Sequence, residues 1–236
     1  MKRLIPLYCS LMLAIPASVV QPLYAQPAAS DTSRRFFDFT IGLGVAAHSA
    51  PSIVNYINSV ARPSLDQRIN QFSTAAEFYA VPELQVADEW SLGLEYSLLI
   101  KSYSLQDQSG FSRSEMSYQV QMPTLLVHYL VFGEGYRVKL GGGVGYHFVA
   151  FDQSFPTNGT GETLKTGGIG IKLDAIGNTK FDESFYGSIG VDLRWDFLGT
   201  LARSGASADV ARSIAALPQM NFFNAGVKFG VTFQPF

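Results

Sequence analysis

Between Phe36 and the last residue, Phe236, the chain returns again and again to a period of two. The run from Tyr136 to Phe148 shows it most plainly. Every even position except Gly142 is apolar, and every odd position is charged, glycine or histidine. Successive side chains on a strand point to opposite faces, so such a run has one greasy face and one wet or small one. A soluble sandwich would use that pattern in a few strands and turn the greasy face inward. Here the greasy face is rich in aromatics and the pattern recurs along most of the chain. This is the signature of a barrel with lipid outside and a polar lumen inside.

The amino terminus fits export. Lys2 and Arg3 precede a mostly apolar stretch from Leu4 to Val20, and Leu23-Tyr24-Ala25 offers a small-residue cleavage site. Residues 1–25 therefore read as a signal peptide, 26–35 as a short polar periplasmic linker and 36–236 as the barrel domain. Cys9 is the sole cysteine and leaves with the signal. The mature chain is left without a disulfide framework, thiolate metal site or cysteine nucleophile. Once Lys2 and Arg3 are gone the charge is mildly acidic, which argues against a nucleic-acid partner. No later stretch reaches the about 18 consecutive apolar residues of a membrane helix. The charged fraction of 15% is low for a soluble surface and suits a wall that faces lipid.

The alternation predicts an all-β, up-and-down antiparallel transmembrane β-barrel of about eight strands. The strands are expected near 36–46, 74–86, 90–102, 117–132, 136–148, 166–176, 185–197 and 221–236. In the fourth, Gln119 and Gln121 share the polar phase before Pro123 and His128 has it after, which predicts a bulge at the proline. The connections alternate in length. Short ones fall around Asp88, at Gly133-Glu134-Gly135 and near 177–182; long ones span 47–73, 103–115, 152–165 and 199–219. Short periplasmic turns and longer outer loops are what an outer-membrane barrel requires. Apolar residues at helical spacing predict helices over 52–60 and 65–72, and about two turns over 207–217. Aromatics near strand ends are expected in the interfacial girdles: Trp90, Tyr103, Tyr118, Tyr129, Phe132, Tyr136, Phe148, Phe151, Trp195 and Phe197.

The phases place acids inside at Asp38, Glu77, Glu83, Glu95, Asp174, Asp192 and Asp196. They place bases there at Lys101, Arg137, Lys139, Lys172, Arg194 and Lys228. An eight-stranded barrel is just wide enough for side chains to fill, and buried charges must pair or stay wet. The expectation is a paired charge network, with a narrow charge-lined channel as the alternative. Gly141, Gly143 and Gly145 lie on one face of a strand, so they relieve crowding and do not form a phosphate loop. His128 and His147 also point inward, within reach of one another or of Glu95. No serine or other nucleophile is placed beside a histidine on the lipid-facing wall, so no catalytic, metal or cofactor site is predicted.

The succession Met122-Pro123-Thr124-Leu125-Leu126-Val127-His128-Tyr129, a Gly133-Glu134-Gly135 turn and Leu140-Gly141-Gly142-Gly143-Val144-Gly145-Tyr146 resembles the small outer-membrane β-barrel proteins of the OmpX/OmpW type. The terminal Phe236 is similar to that group's assembly signal, although Gln234 and Pro235 depart from its usual alternation. The resemblance implies residence in the cell outer membrane and contact with outer-membrane lipids and lipopolysaccharide. It also implies recognition by the barrel-assembly machinery through Phe236. The group is functionally mixed, so no ligand or catalytic residues carry over. The expected function is a non-enzymatic structural or surface-interaction barrel. The alternatives are a narrow passage for small or hydrophobic solutes and, least of all, a lipid-modifying enzyme.

Overall fold

The computed structural model describes residues 36–60, 72–106, 113–155, 160–203 and 217–235. They all belong to one compact unit, Arg34–Phe236. The predicted signal peptide and linker, Phe236 and the predicted helices at 65–71 and 207–216 lie outside these residues.

Ten elements follow in order: β1 (Phe37–Ser49), α1 (Pro51–Val60), β2 (Phe72–Ala87), β3 (Trp90–Gln106), β4 (Arg113–Gly133), β5 (Tyr136–Phe155), β6 (Thr160–Lys180), β7 (Phe185–Thr200), β8 (Ala202–Arg203) and β9 (Gln219–Phe233). Each long strand pairs antiparallel with its neighbours, and β1 pairs with β9, so eight strands close into a barrel with no free edge. The two-residue β8 is a spur on the outer end of β6, pairing Ala202 with Lys165 and Arg203 with Leu164.

The wall is apolar on the outside. Large side chains such as Ile41 (54% exposed), Leu173 (53%) and Phe197 (58%) point away from the barrel on strands right round its circumference. An exposed apolar surface of that extent has no stable place in water. Aromatic pairs brace both ends: Trp90–Tyr129 and Phe185–Phe233 toward the chain termini, Tyr146–Phe148 and Trp195–Phe223 toward the other end. The β4–β5 turn is held by Gly135 at φ +76°, a left-handed conformation that glycine adopts without strain.

The structure corrects the sequence reading in four places. First, β4 has no bulge at Pro123. Its pairing with β3 runs unbroken from Trp90↔Tyr129 to Gln106↔Arg113. Pairing with β5 skips Met122 and Pro123 and resumes in register. Even positions point inward throughout, so Met116, Tyr118, Val120 and Met122 are buried while Gln119 and Gln121 are exposed on the outside. The polarity inverts because the surroundings change along the barrel: the outer half of the lumen is apolar. Second, Tyr118 and Phe151 are buried in that apolar half and Tyr103 packs against it, so none of the three belongs to a girdle. Third, two of the expected long loops are partly strand, with β3 and β4 reaching Gln106 and Arg113, and β5 and β6 reaching Phe155 and Thr160. Fourth, Phe72 begins β2 and does not end a helix.

Candidate functional site: a lumen in two storeys

The outer storey is a hydrophobic core. α1 follows β1 directly and starts with Pro51, whose fixed φ and missing N–H suit the first turn of a helix. Ile53, Tyr56 and Ile57 recur at helical spacing, and both isoleucines are fully buried. They pack with Leu99, Met116, Tyr118, Val149, Phe151, Met220 and Phe222 from the lumen side of four strands. The Tyr56 hydroxyl donates to Gln153 Oε1 at 3.3 Å, and the Tyr56 ring meets Phe151 edge-on. The helix thus sits in the barrel mouth as a cork.

The inner storey is ionic, and its members form one chain of alternating charge. Arg137 pairs with Asp38, which also receives Lys139 Nζ at 3.0 Å. Lys139 reaches Glu83 at 2.5 Å. His128 bridges Glu83 and Asp174, with Nδ1 and Nε2 each 3.0 Å from a carboxylate oxygen. Lys172 then joins Asp174 at 2.8 Å to Glu95 at 2.5 Å. Glu95 also takes Arg194 at 2.9 Å and Lys228 at 3.2 Å. Those two cations reach Glu77 at 3.2 and 2.8 Å and Asp192 at 3.4 and 3.5 Å. His147 stands apart, between Asp196 and Thr124, whose hydroxyl is 3.1 Å from Nε2.

Most of the predicted interior residues therefore meet here, with two differences. Lys101 lies at the outer end, half-buried, with Nζ donating to the Thr74 carbonyl at 2.6 Å and lying over the Tyr103 ring. The histidines pair with neither each other nor Glu95; each is taken by other carboxylates. The ledger of charge explains why. Seven buried acids (Asp38, Glu77, Glu83, Glu95, Asp174, Asp192, Asp196) face five buried Lys and Arg (Arg137, Lys139, Lys172, Arg194, Lys228). His128 stands between two of these acids, a carboxylate oxygen 3.0 Å from each ring nitrogen, a geometry that asks for donors on both.

Glycines make room for these groups. A Cβ on Gly141, Gly145 or Gly42 would overlap a carbonyl oxygen of the neighbouring strand and also crowd His128, His147 or Tyr79 in turn, and one on Gly230 would press on the Tyr79 hydroxyl. At Gly170 it would overlap His147 Cε1 and crowd Asp196 Oδ1. Gly170→Ala should therefore cost about 1–3 kcal/mol by overpacking, read as a lower urea midpoint of the lipid-embedded barrel. The cost of Gly170→Ala should be smaller in a His147→Ala background than in the wild type; an equal cost in both would refute the steric account.

The space left over is small. The inner cavity, bordered by Thr40, Tyr79, Glu83, His128, Lys139 and Lys228 among others, measures about 20 Å³, room for about one water. Thr124, His147 and Asp196 line up hydroxyl, imidazole and carboxylate in the order of a catalytic triad. Thr124 is fully buried, so an acyl substrate has no approach to its hydroxyl. Among the described residues no group of three or more His, Cys, Asp or Glu is placed to hold a metal ion.

No protein-family profile matches the chain, and no curated protein matches it in sequence. Solved structures do match in fold. Ail, the attachment invasion locus protein of Yersinia pestis, solved with the heparin analogue sucrose octasulfate, superposes with a TM-score of 0.50 at 7% identity. The match covers 85% of this chain and 99% of that one. Neisserial surface protein A gives 0.48 at 10% identity, covering 83% and 96%. OprG from Pseudomonas aeruginosa gives 0.47 at 13% identity, covering 85% and 95%. At such identities the likeness is one of fold. The chain has the fold of a small outer-membrane β-barrel, apolar on its outer wall.

Proposed function

We propose that this outer-membrane barrel is a non-enzymatic structural or surface-interaction protein whose lumen is closed by its own side chains. The observation that carries the reading is the continuous ion-pair chain beneath an apolar cork, with about 20 Å³ left between its members. A hydrated ion needs a wider path, and the charges that would guide it are already committed to one another. Contact with partners then falls to the outer connections and to the lipids and lipopolysaccharide around the wall. Biogenesis falls to the barrel-assembly machinery acting on Phe236. The presence of an attachment protein among the fold's members is consistent with such a role and goes no further than the fold.

The refolded mature protein in a planar lipid bilayer is expected to give no unitary current. Reproducible steps that change with Lys139→Glu or Asp192→Lys would overturn the closed-lumen reading. One observation favours a second reading, passage of small hydrophobic solutes: the outer storey is apolar and stoppered by a separate element, α1. That reading requires the cork to move.

A further inference from the structure

The periplasmic mouth, where the described chain begins and ends, carries a feature that a sealed lumen does not need. A pocket of about 170 Å³ lies there, bounded by Phe36, Phe132, Tyr136, Arg137, Lys180 and Tyr186 together with the turn glycines and Gln234. Arg137 is its floor. The residue is 4% exposed, and its guanidinium carbon sits 4.1 Å from the centre of the Phe36 ring and 5.6 Å from that of Tyr186. Its Nη2 is committed to Asp38, but its Nε is buried without a hydrogen-bond acceptor. Asp38 also takes Lys139, which has Glu83 as its second partner. Lys180, exposed at the pocket's lip, adds a positive charge. The acids nearest in sequence, Glu134, Asp182 and Glu183, sit on the adjacent turns and do not border the pocket.

Two chemistries therefore converge. The floor and lip are cationic, and Arg137 Nε has no acceptor, which suits an anion with several oxygens. The sides are aromatic: Phe132, on the lumen phase at the end of β4, and Tyr136, on the lipid-facing phase of β5, are both half exposed. The pocket thus opens both to the lumen mouth and to the headgroup level of the membrane. We propose that the periplasmic mouth binds a phosphate ester between Arg137 and Lys180, supplied by an anionic phospholipid of the periplasmic leaflet whose chains run down past Phe132 and Tyr136. The site is independent of whether the lumen above it conducts.

The test uses the full mature barrel in a non-ionic detergent, titrated with short-chain phosphatidylglycerol and, separately, with glycerol phosphate, and followed by native mass spectrometry. Phosphatidylglycerol should be retained by the wild type and lost roughly tenfold more readily from Lys180→Glu, with an unchanged heat-dependent gel shift showing intact folding. Lys165→Glu, an exposed lysine toward the other end of β6, controls for general charge and should retain lipid as the wild type does. Arg137→Lys, which keeps the charge but loses the planar fork, should weaken retention as well. Equal retention by Lys180→Glu and the wild type overturns the site. Glycerol phosphate binding as tightly as the lipid overturns the lipid source and leaves a soluble phosphate ester in its place.

Discussion

Glu95→Ala should destabilise the barrel by about 3–5 kcal/mol, the cost of leaving buried charge without its partner. Glu95 is 1% exposed and is the one carboxylate that answers Lys172, Arg194 and Lys228 together. Its removal leaves Lys172 with Asp174 alone. It leaves two cations to divide Glu77 and Asp192, Arg194 at 3.2 and 3.4 Å and Lys228 at 2.8 and 3.5 Å. The measurement is the urea midpoint of unfolding from lipid vesicles, with the gel-shift temperature as a second readout. Glu95→Gln separates shape from charge: it keeps the volume and should still lose most of the stability. Arg194→Met added to Glu95→Ala should cost less than the two single changes summed, since each removes the other's unpaired charge. If Glu95→Ala unfolds at the wild-type urea concentration, the ion chain is not a connected structural element.

The same chain shows what the sequence could and could not disclose. The inward sets of β1, β2, β5, β6, β7 and β9 follow from period two alone, because a strand in a barrel wall has only two sides to offer. The pattern names the side but not the depth. In β4 the inward face changes from Tyr118, Val120 and Met122 to Thr124 and His128, and the outward face from Gln121 to Leu125. Taken as polarity that change resembles a slipped register, whereas it marks the boundary between an apolar storey and an ionic one. Tyr118 and Phe151 were ambiguous for a related reason: an aromatic near a strand end suits a girdle or a capped core, and only the presence of α1 in the mouth decides. Lys101 has the inward phase yet lies above the ionic storey, and Asp196 pairs apart with His147, so phase alone overcounted the connected network. The partners of His128 were beyond reach altogether. Glu83 is on β2 and Asp174 on β6, neither adjacent to β4, and contacts across a lumen depend on stagger between strands that share no hydrogen bonds.

Removing the cork should give the second large effect. Ile53→Ala and Ile57→Ala each delete a fully buried side chain from the packed outer storey, at about 2–5 kcal/mol apiece. The two lie four residues apart on one helical face and share neighbours, so their sum is an upper bound. The double variant should release α1 from Met116, Phe151, Met220 and Phe222 and admit water to a storey lined by apolar side chains. Cys9, in the predicted signal peptide, is the sole cysteine, so a single Met220→Cys in the chain from residue 26 onward reports this directly. Its reaction with a membrane-impermeant maleimide should be slow with α1 intact and roughly tenfold or more faster in the double variant, as expected when local opening controls access. The ionic storey beneath does not involve α1, so the planar bilayer should remain silent even when the thiol reacts quickly. Fast labelling with a silent bilayer fits a corked, closed barrel. Fast labelling accompanied by current would mean that α1 is the gate and that the ion chain leaks once it is lifted. Slow labelling with wild-type stability would remove α1 from the lumen altogether and return the outer storey to the strands alone.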